Sequence, residues 1–136
     1  MRTINEIIIH CAATKPSMDI GAEWIRRIHV QQNKWKDIGY HYVIRRNGAV
    51  EDGRPISQTG AHCKNHNTGT IGICMVGGIS ETGRPENNFT PEQFEAVQSL
   101  INSLVEVYPS ITKLSGHNDY ANKACPCFNV NEKLRL

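Results

Sequence analysis

No stretch of this sequence approaches the roughly 18 consecutive apolar residues that a bilayer-spanning helix needs, so no membrane span is expected. No secretory signal is expected either: six residues separate Met1 from Ile8, and Glu6 stands where an apolar signal core would have to begin. The chain is therefore expected to be made in the cytoplasm without a signal peptide. Charge of one sign is scarce. The net charge is +2 and the Lys and Arg residues are scattered, which argues against a nucleic-acid partner. A surface this mildly basic would tolerate an anionic polymer. Paired cysteines are lacking as well. Cys11, Cys63, Cys74, Cys125 and Cys127 form an odd set without zinc-finger spacing. Without a signal, reduced thiols are the default, which leaves packing or metal chemistry for them. There is no internal repeat and no low-complexity tract. What remains is an ordinary globular composition, 39% hydrophobic and 21% charged over 136 residues. That length fits one domain, residues 1–136, with a core that needs no disulfides.

The pattern along the chain is that of an α/β domain. The run EIIIHC from Glu6 to Cys11 reads as a buried strand. Asp19 is a candidate cap for a helix reaching about Asn33, with Ile20, Trp24, Ile25 and Ile28 at helical spacing. Tyr40 to Arg46 reads as a strand, Asn47-Gly48 as a two-residue hairpin turn, and Ala49 to Asp52 as the returning strand. Arg54 to Thr70 reads as a long surface loop, and such loops are often functional. Ile71 to Val76 is another buried strand. Thr90, Pro91 and Gln93 make a capping box with proline at the first helical position. Phe94, Val97, Ile101, Leu104, Val105 and Tyr108 then follow one face up to Pro109. A last strand is expected near Ile111 to Ser115, and a short helix after Cys125.

Several side chains could carry chemistry. His10 ends a strand, so its neighbour Cys11 must point to the other face. On its own, His10 reads more readily as a histidine paired with a backbone group. His117 and Cys125 are separated by seven residues in the polar segment GHNDYANKACPCF. An imidazole and a thiolate are good zinc ligands, and a third ligand from elsewhere would leave one position open. The plain alternative makes His117 a loop residue and Cys125 packing. Tyr40 could orient a water or a carbonyl near a metal, or could be a core aromatic. Lys123 could stabilise an oxyanion, or could be a solvated surface lysine.

These pieces together resemble a known family. HCAATKPS from His10, WKDIGYHYVIRRNG from Trp35, GAHCKNHN from Gly60, IGICMVGG from Ile71, FTPEQ from Phe89 and NKACPCF from Asn122 are similar to N-acetylmuramoyl-L-alanine amidases of the phage-lysozyme type. That family shares its fold with animal peptidoglycan recognition proteins. The resemblance runs in order over nearly the whole chain. It implies one α/β domain with a central mixed β-sheet and about three helices. It implies zinc held by His10, His117 and Cys125, with catalytic roles for Tyr40 and Lys123. It places His62 and Asn67 in the substrate groove. His29 and His41 are expected to be structural, and His66 a loop residue. The implied reaction is zinc-dependent hydrolysis of the amide between N-acetylmuramic acid and L-alanine in peptidoglycan, by a monomer that meets the wall after release or delivery.

The sequence leaves the family pattern at four positions. Cys127 replaces the usual Ser or Gly after Cys-Pro, Asn129 an Asp, Gly69 a loop Asn, and Ile28 a Trp before His29. None of these removes a ligand. Pro126 is a stiff link between Cys125 and Cys127, so Cys127 is not expected to share the metal. Two other readings follow from the same resemblance. One is a recognition module that binds wall fragments without cutting them; relatives of that kind typically lack the cysteine ligand. The other is an amidase that also restrains a phage RNA polymerase, a role tied partly to an extension ahead of the first strand.

Overall fold

The computed structural model describes residues 2–136. Its centre is β1 (Glu6–Cys11), all six residues of which are buried. β1 pairs in parallel with β4 (Thr70–Met75) on one side and with β5 (Lys113–Gly116) on the other. A parallel strand covered on both faces reads as a continuous apolar run, which is why IIIH and TIGICM show no polar alternation. β2 (Tyr42–Ile44) joins β4 in parallel and β3 (Val50–Asp52) closes the edge antiparallel to β2. The five-stranded mixed sheet has the order β3-β2-β4-β1-β5.

Alternation along the strands divides the core into two. Ile7, Ile9 and Cys11 of β1 and Ile71, Ile73 and Met75 of β4 pack against Val97, Ile101 and Leu104 of α2 (Pro91–Val107). The short α3 (Val130–Lys133) joins the same core through Val130. The opposite face carries Val43, Cys74 and Val76 against Ala22 and Ile25 of α1 (Ala22–Gln31). His10 and Gly72 belong by alternation to this second face.

α2 starts as its sequence requires: Thr90 Oγ1 accepts from the Gln93 amide and the Gln93 side chain accepts from the Thr90 amide. Gln93 is also fully buried, and its Nε2 donates to the carbonyls of Ile44 and Val76. The cap is thus pinned to the ends of β2 and β4.

Three expectations need correction. α1 is capped at Gly21, not Asp19. The first amide of the helix, Ala22 N–H, donates to Glu51 Oε1 of β3 at 2.8 Å, while Asp19 pairs with Arg45. Trp24 stays 37% exposed although its spacing suggested burial, so the buried stripe of α1 is narrow. The hairpin turn is a three-residue one. Arg45 N–H donates to Ala49 O, Gly48 N–H donates to Arg45 O, and Gly48 takes φ +89 while Asn47 keeps a negative φ. A two-residue type I′ turn would need positive φ at both.

Candidate metal centre

The sheet register brings the first two chemical groups together. β5 pairs with β1 so that Gly116 lies opposite Ile9. The next residues along each strand are His117, which opens a single turn of 3-10 helix, and His10. Their Nδ1 atoms are 3.2 Å apart although the residues are 107 positions apart in sequence. Cys125 arrives on the loop after that turn, and its Sγ accepts the backbone N–H of Cys11 at 3.1 Å. Cys11 thus points its thiol to the α2 face as alternation requires, yet serves the site through its amide. The candidate ligand atoms of His10, His117 and Cys125 all lie within 4.8 Å of one another, and among the described residues this is the group of three that could hold a metal. Burial, with His62, His117 and Lys123 adding to it, holds the His10 imidazole well below its ordinary pKa. Burial and then Lys123 lower His117. Both rings are neutral at pH 7, the form that donates a lone pair to a metal.

The other groups surround this trio. The Tyr40 ring centroid is 5.2 Å from that of His10. Burial, and then the Cys74, Cys125 and Cys11 thiols beside it, push the phenol pKa well above the ordinary value, so the hydroxyl keeps its proton. His41, the next residue, is buried on another task. Its Nδ1 accepts from Gly72 N–H at 3.0 Å and its Nε2 donates to Gln58 O at 2.8 Å. His29 Nδ1 accepts from Gly39 N–H. A cavity of about 600 Å³ opens beside the trio, lined by Trp35, His62, Lys64, Asn67, His117, Tyr120 and Lys123 among others. Lys123 is exposed at its rim, and no carboxylate lines it. A depression of about 630 Å³ on the outer edge of β5 shares only Tyr120 with it and lies away from the ligand trio.

His62 and Asn67 do line the cavity, but both ring nitrogens of His62 and the side-chain oxygen of Asn67 are engaged within the protein. His62 is 8% exposed; its Nδ1 lies 2.8 Å from His10 Nε2 and its Nε2 3.1 Å from Thr70 Oγ1. Asn67 Oδ1 accepts the backbone amides of His62 and Cys63, both at 2.9 Å. His66 stacks on Tyr120 with 3.8 Å between ring centroids. Cys127 faces away from the trio: its Sγ donates to Gly78 O at 3.2 Å, and burial raises its thiol to about 11. Thr70 and Gly72 carry weight that the sequence reading did not assign. A Cβ on Gly72 would come within 2.5 Å of the His62 ring, so the glycine makes the space that ring occupies. A glycine inside an otherwise bulky, fully buried strand is the signal that could have shown this.

A sequence model of the N-acetylmuramoyl-L-alanine amidase family matches residues 1–128. The chain belongs to the N-acetylmuramoyl-L-alanine amidase family. Relatives within and around this amidase family agree. The endolysin of Enterobacteria phage K11 is 44% identical over 131 residues, 96% of this chain and 85% of its own. The endolysin of Escherichia phage T7 is 44% identical over 124 residues, 91% of this chain and 81% of its own. Among solved structures, the N-acetylmuramoyl-L-alanine amidase LysC from Clostridium intestinale superposes with a TM-score of 0.79 at 30% identity, over 94% of this chain and 79% of that one. Bumblebee peptidoglycan recognition protein SA gives 0.78 at 25% identity, over 93% and 77%. The amidase fold is therefore the one found in peptidoglycan recognition proteins, as the motifs implied.

Proposed function

We propose that this family member is a zinc-dependent endolysin-type amidase. It hydrolyses the amide between N-acetylmuramic acid and L-alanine in bacterial peptidoglycan. The observation that carries this reading is the convergence of His10, His117 and Cys125 within 4.8 Å of one another, with His117 also lining the cavity that holds Lys123. Two neutral imidazoles and a thiol form a donor set suited to zinc, and three protein ligands leave a fourth position for catalysis. The chemistry such an ion supplies when bound is Lewis acidity toward an amide carbonyl and an attacking water.

The chain's own residues do the rest. Tyr40, protonated at neutral pH, places the attacking water through its hydroxyl, and as it takes a proton from that water it gives its own to the leaving amine of L-alanine. Lys123 brings an ammonium to the negative charge that develops on the carbonyl oxygen. The Cys11 amide holds Cys125 Sγ in place and withdraws charge from it. The cavity, rich in lysine and amide groups and free of carboxylates, suits an anionic stem peptide. One chain supplies the whole ligand set, so the enzyme works as a monomer. Among the described residues no helix is long and apolar enough to cross a membrane. The wall is met after release or delivery.

The deciding experiment combines metal analysis with digestion of purified peptidoglycan. About one zinc per chain is expected, and the products should carry new L-alanine amino termini and free lactyl carboxyl groups. Cys125→Ser should lose zinc and activity together. If Cys125→Ser kept full zinc content and full turnover, the ligand assignment would be wrong.

A further inference from the structure

We infer that His62 and Thr70 are positioning residues that fix the ring tautomer of the metal ligand His10, so that its Nδ1 lone pair is always the one presented to the metal. The inference rests on the metal reading above and goes beyond it.

Proton counting along the contacts gives the direction. Thr70 Oγ1 has one proton. Two of its neighbours are carbonyl oxygens that can only accept, His66 O at 2.9 Å and Asn67 O at 3.0 Å. The hydroxyl proton therefore goes to a carbonyl, and at 3.1 Å from His62 Nε2 the threonine must accept. His62 then carries its proton on Nε2 and leaves Nδ1 bare. That bare nitrogen lies 2.8 Å from His10 Nε2, which must be the donor. His10 is left with an unprotonated Nδ1, the atom that faces His117 Nδ1 and the Cys125 thiol. The direction is set by competition at Thr70, where two backbone carbonyls at 2.9 and 3.0 Å lie nearer to the hydroxyl than the His62 nitrogen at 3.1 Å.

The surroundings hold this arrangement rigidly. The Asn67 carboxamide fixes the His62 backbone, and the Asn67 carbonyl is one of the two that fix the Thr70 hydroxyl. His62 lies over Gly72, the residue opposite Ile8 in the sheet register, where any side chain would displace it. A metal-bound histidine commonly donates its other N–H to an acceptor that fixes ring and tautomer. Here the acceptor is a second, neutral histidine rather than a carboxylate, so it adds no negative charge beside the ligand thiolate.

The test uses the full chain and zinc competed against a chelator of known affinity. Thr70→Val keeps the shape and removes the acceptor. It should weaken zinc binding about 10- to 100-fold, and Thr70→Ser should restore it. The melting temperature of the metal-free protein separates this effect from a general loss of stability. A nitrogen-15 spectrum of the wild-type metal-free protein should show His10 and His62 both protonated on Nε2. Unchanged zinc affinity in a folded Thr70→Val protein, or His62 protonated on Nδ1 in the wild type, would overturn the inference. Failure of the wild type to take up zinc would instead sink the metal reading, and the ring-nitrogen spectrum, which needs no metal, would still decide the relay.

Discussion

Tyr40 is the residue at which chemistry can be separated from packing. Its ring lies tilted beside those of His10 and His29 and touches the apolar cluster under α1, so the ring serves the fold. Its hydroxyl, beside the buried Cys74 thiol, is the part proposed to act at the site. Tyr40→Phe should keep the melting temperature within a few degrees and keep zinc, while turnover falls by about 10²-fold or more. A parallel loss of stability and activity would make the hydroxyl a core group. Cys127 gives a second test at this scale. Its Sγ is turned toward Gly78 O, so Cys127→Ser should keep zinc in reducing buffer. After chelation and exposure to air, it should regain more activity on zinc addition than the wild type, since one oxidisable sulfur next to Cys125 is gone. Loss of zinc before any oxidation would show that Cys127 is a ligand. His10, Tyr40, His117, Lys123 and Cys125 could be singled out in the sequence through the motifs that carry the family resemblance. The engagement of His62 was not: a histidine letter does not reveal that Thr70 and His10 occupy both its nitrogens.

At the scale of elements, strands and the α2 helix could be read because their causes are local. The Ile-rich β1 run and the Thr90–Gln93 capping box depend on residues adjacent in sequence. The start of α1 could not, since its capping carboxylate belongs to Glu51, 29 positions away from Ala22. A local rule sees Asp19 and has no view of β3. Glu51→Gln should therefore cost about 1 kcal/mol, through a weaker acceptor and the loss of negative charge at a helix N-terminus. Asp19→Asn, at an exposed carboxylate, should cost less. Thermal melts of the two variants side by side check this, and the reverse order would restore Asp19 as the cap. β4 offers a sharper case. Gly72→Ala places a methyl group against the His62 ring, and overpacking of this kind costs about 1–3 kcal/mol. Because His62 is the group displaced, zinc affinity should fall along with the melting temperature.

For the whole molecule, the order β3-β2-β4-β1-β5 decides what the separate motifs could not: that the ends of β1 and β5 are neighbours and that His10 meets His117. Periodicity predicts strands but carries no register, so the convergence of the ligands came from the family resemblance and not from spacing. The same architecture has a consequence for acid stability. The sheet face that holds the site buries imidazoles in neutral form. His41 is the cleanest of them, being 2% exposed and touching none of the metal ligands. Burial lowers its pKa to about 4; the Gln58 carbonyl opposes that shift, and the guanidinium groups of Arg2 and Arg54 reinforce it. In the unfolded chain an imidazole titrates near 6.5. Between those two values the unfolded state binds a proton that the folded state refuses, so stability is full above about pH 6.5 and is lost as pH falls toward 4. His41→Gln keeps an amide that can replace part of the hydrogen bonding and removes the titration. The metal-free variant should be less stable at pH 7, yet its unfolding free energy should fall less steeply between pH 6 and 4.5, by up to about 1.4 kcal/mol per pH unit. Urea unfolding of both proteins across that range measures the two slopes, and equal slopes would show that His41 does not hold its neutral form against acid.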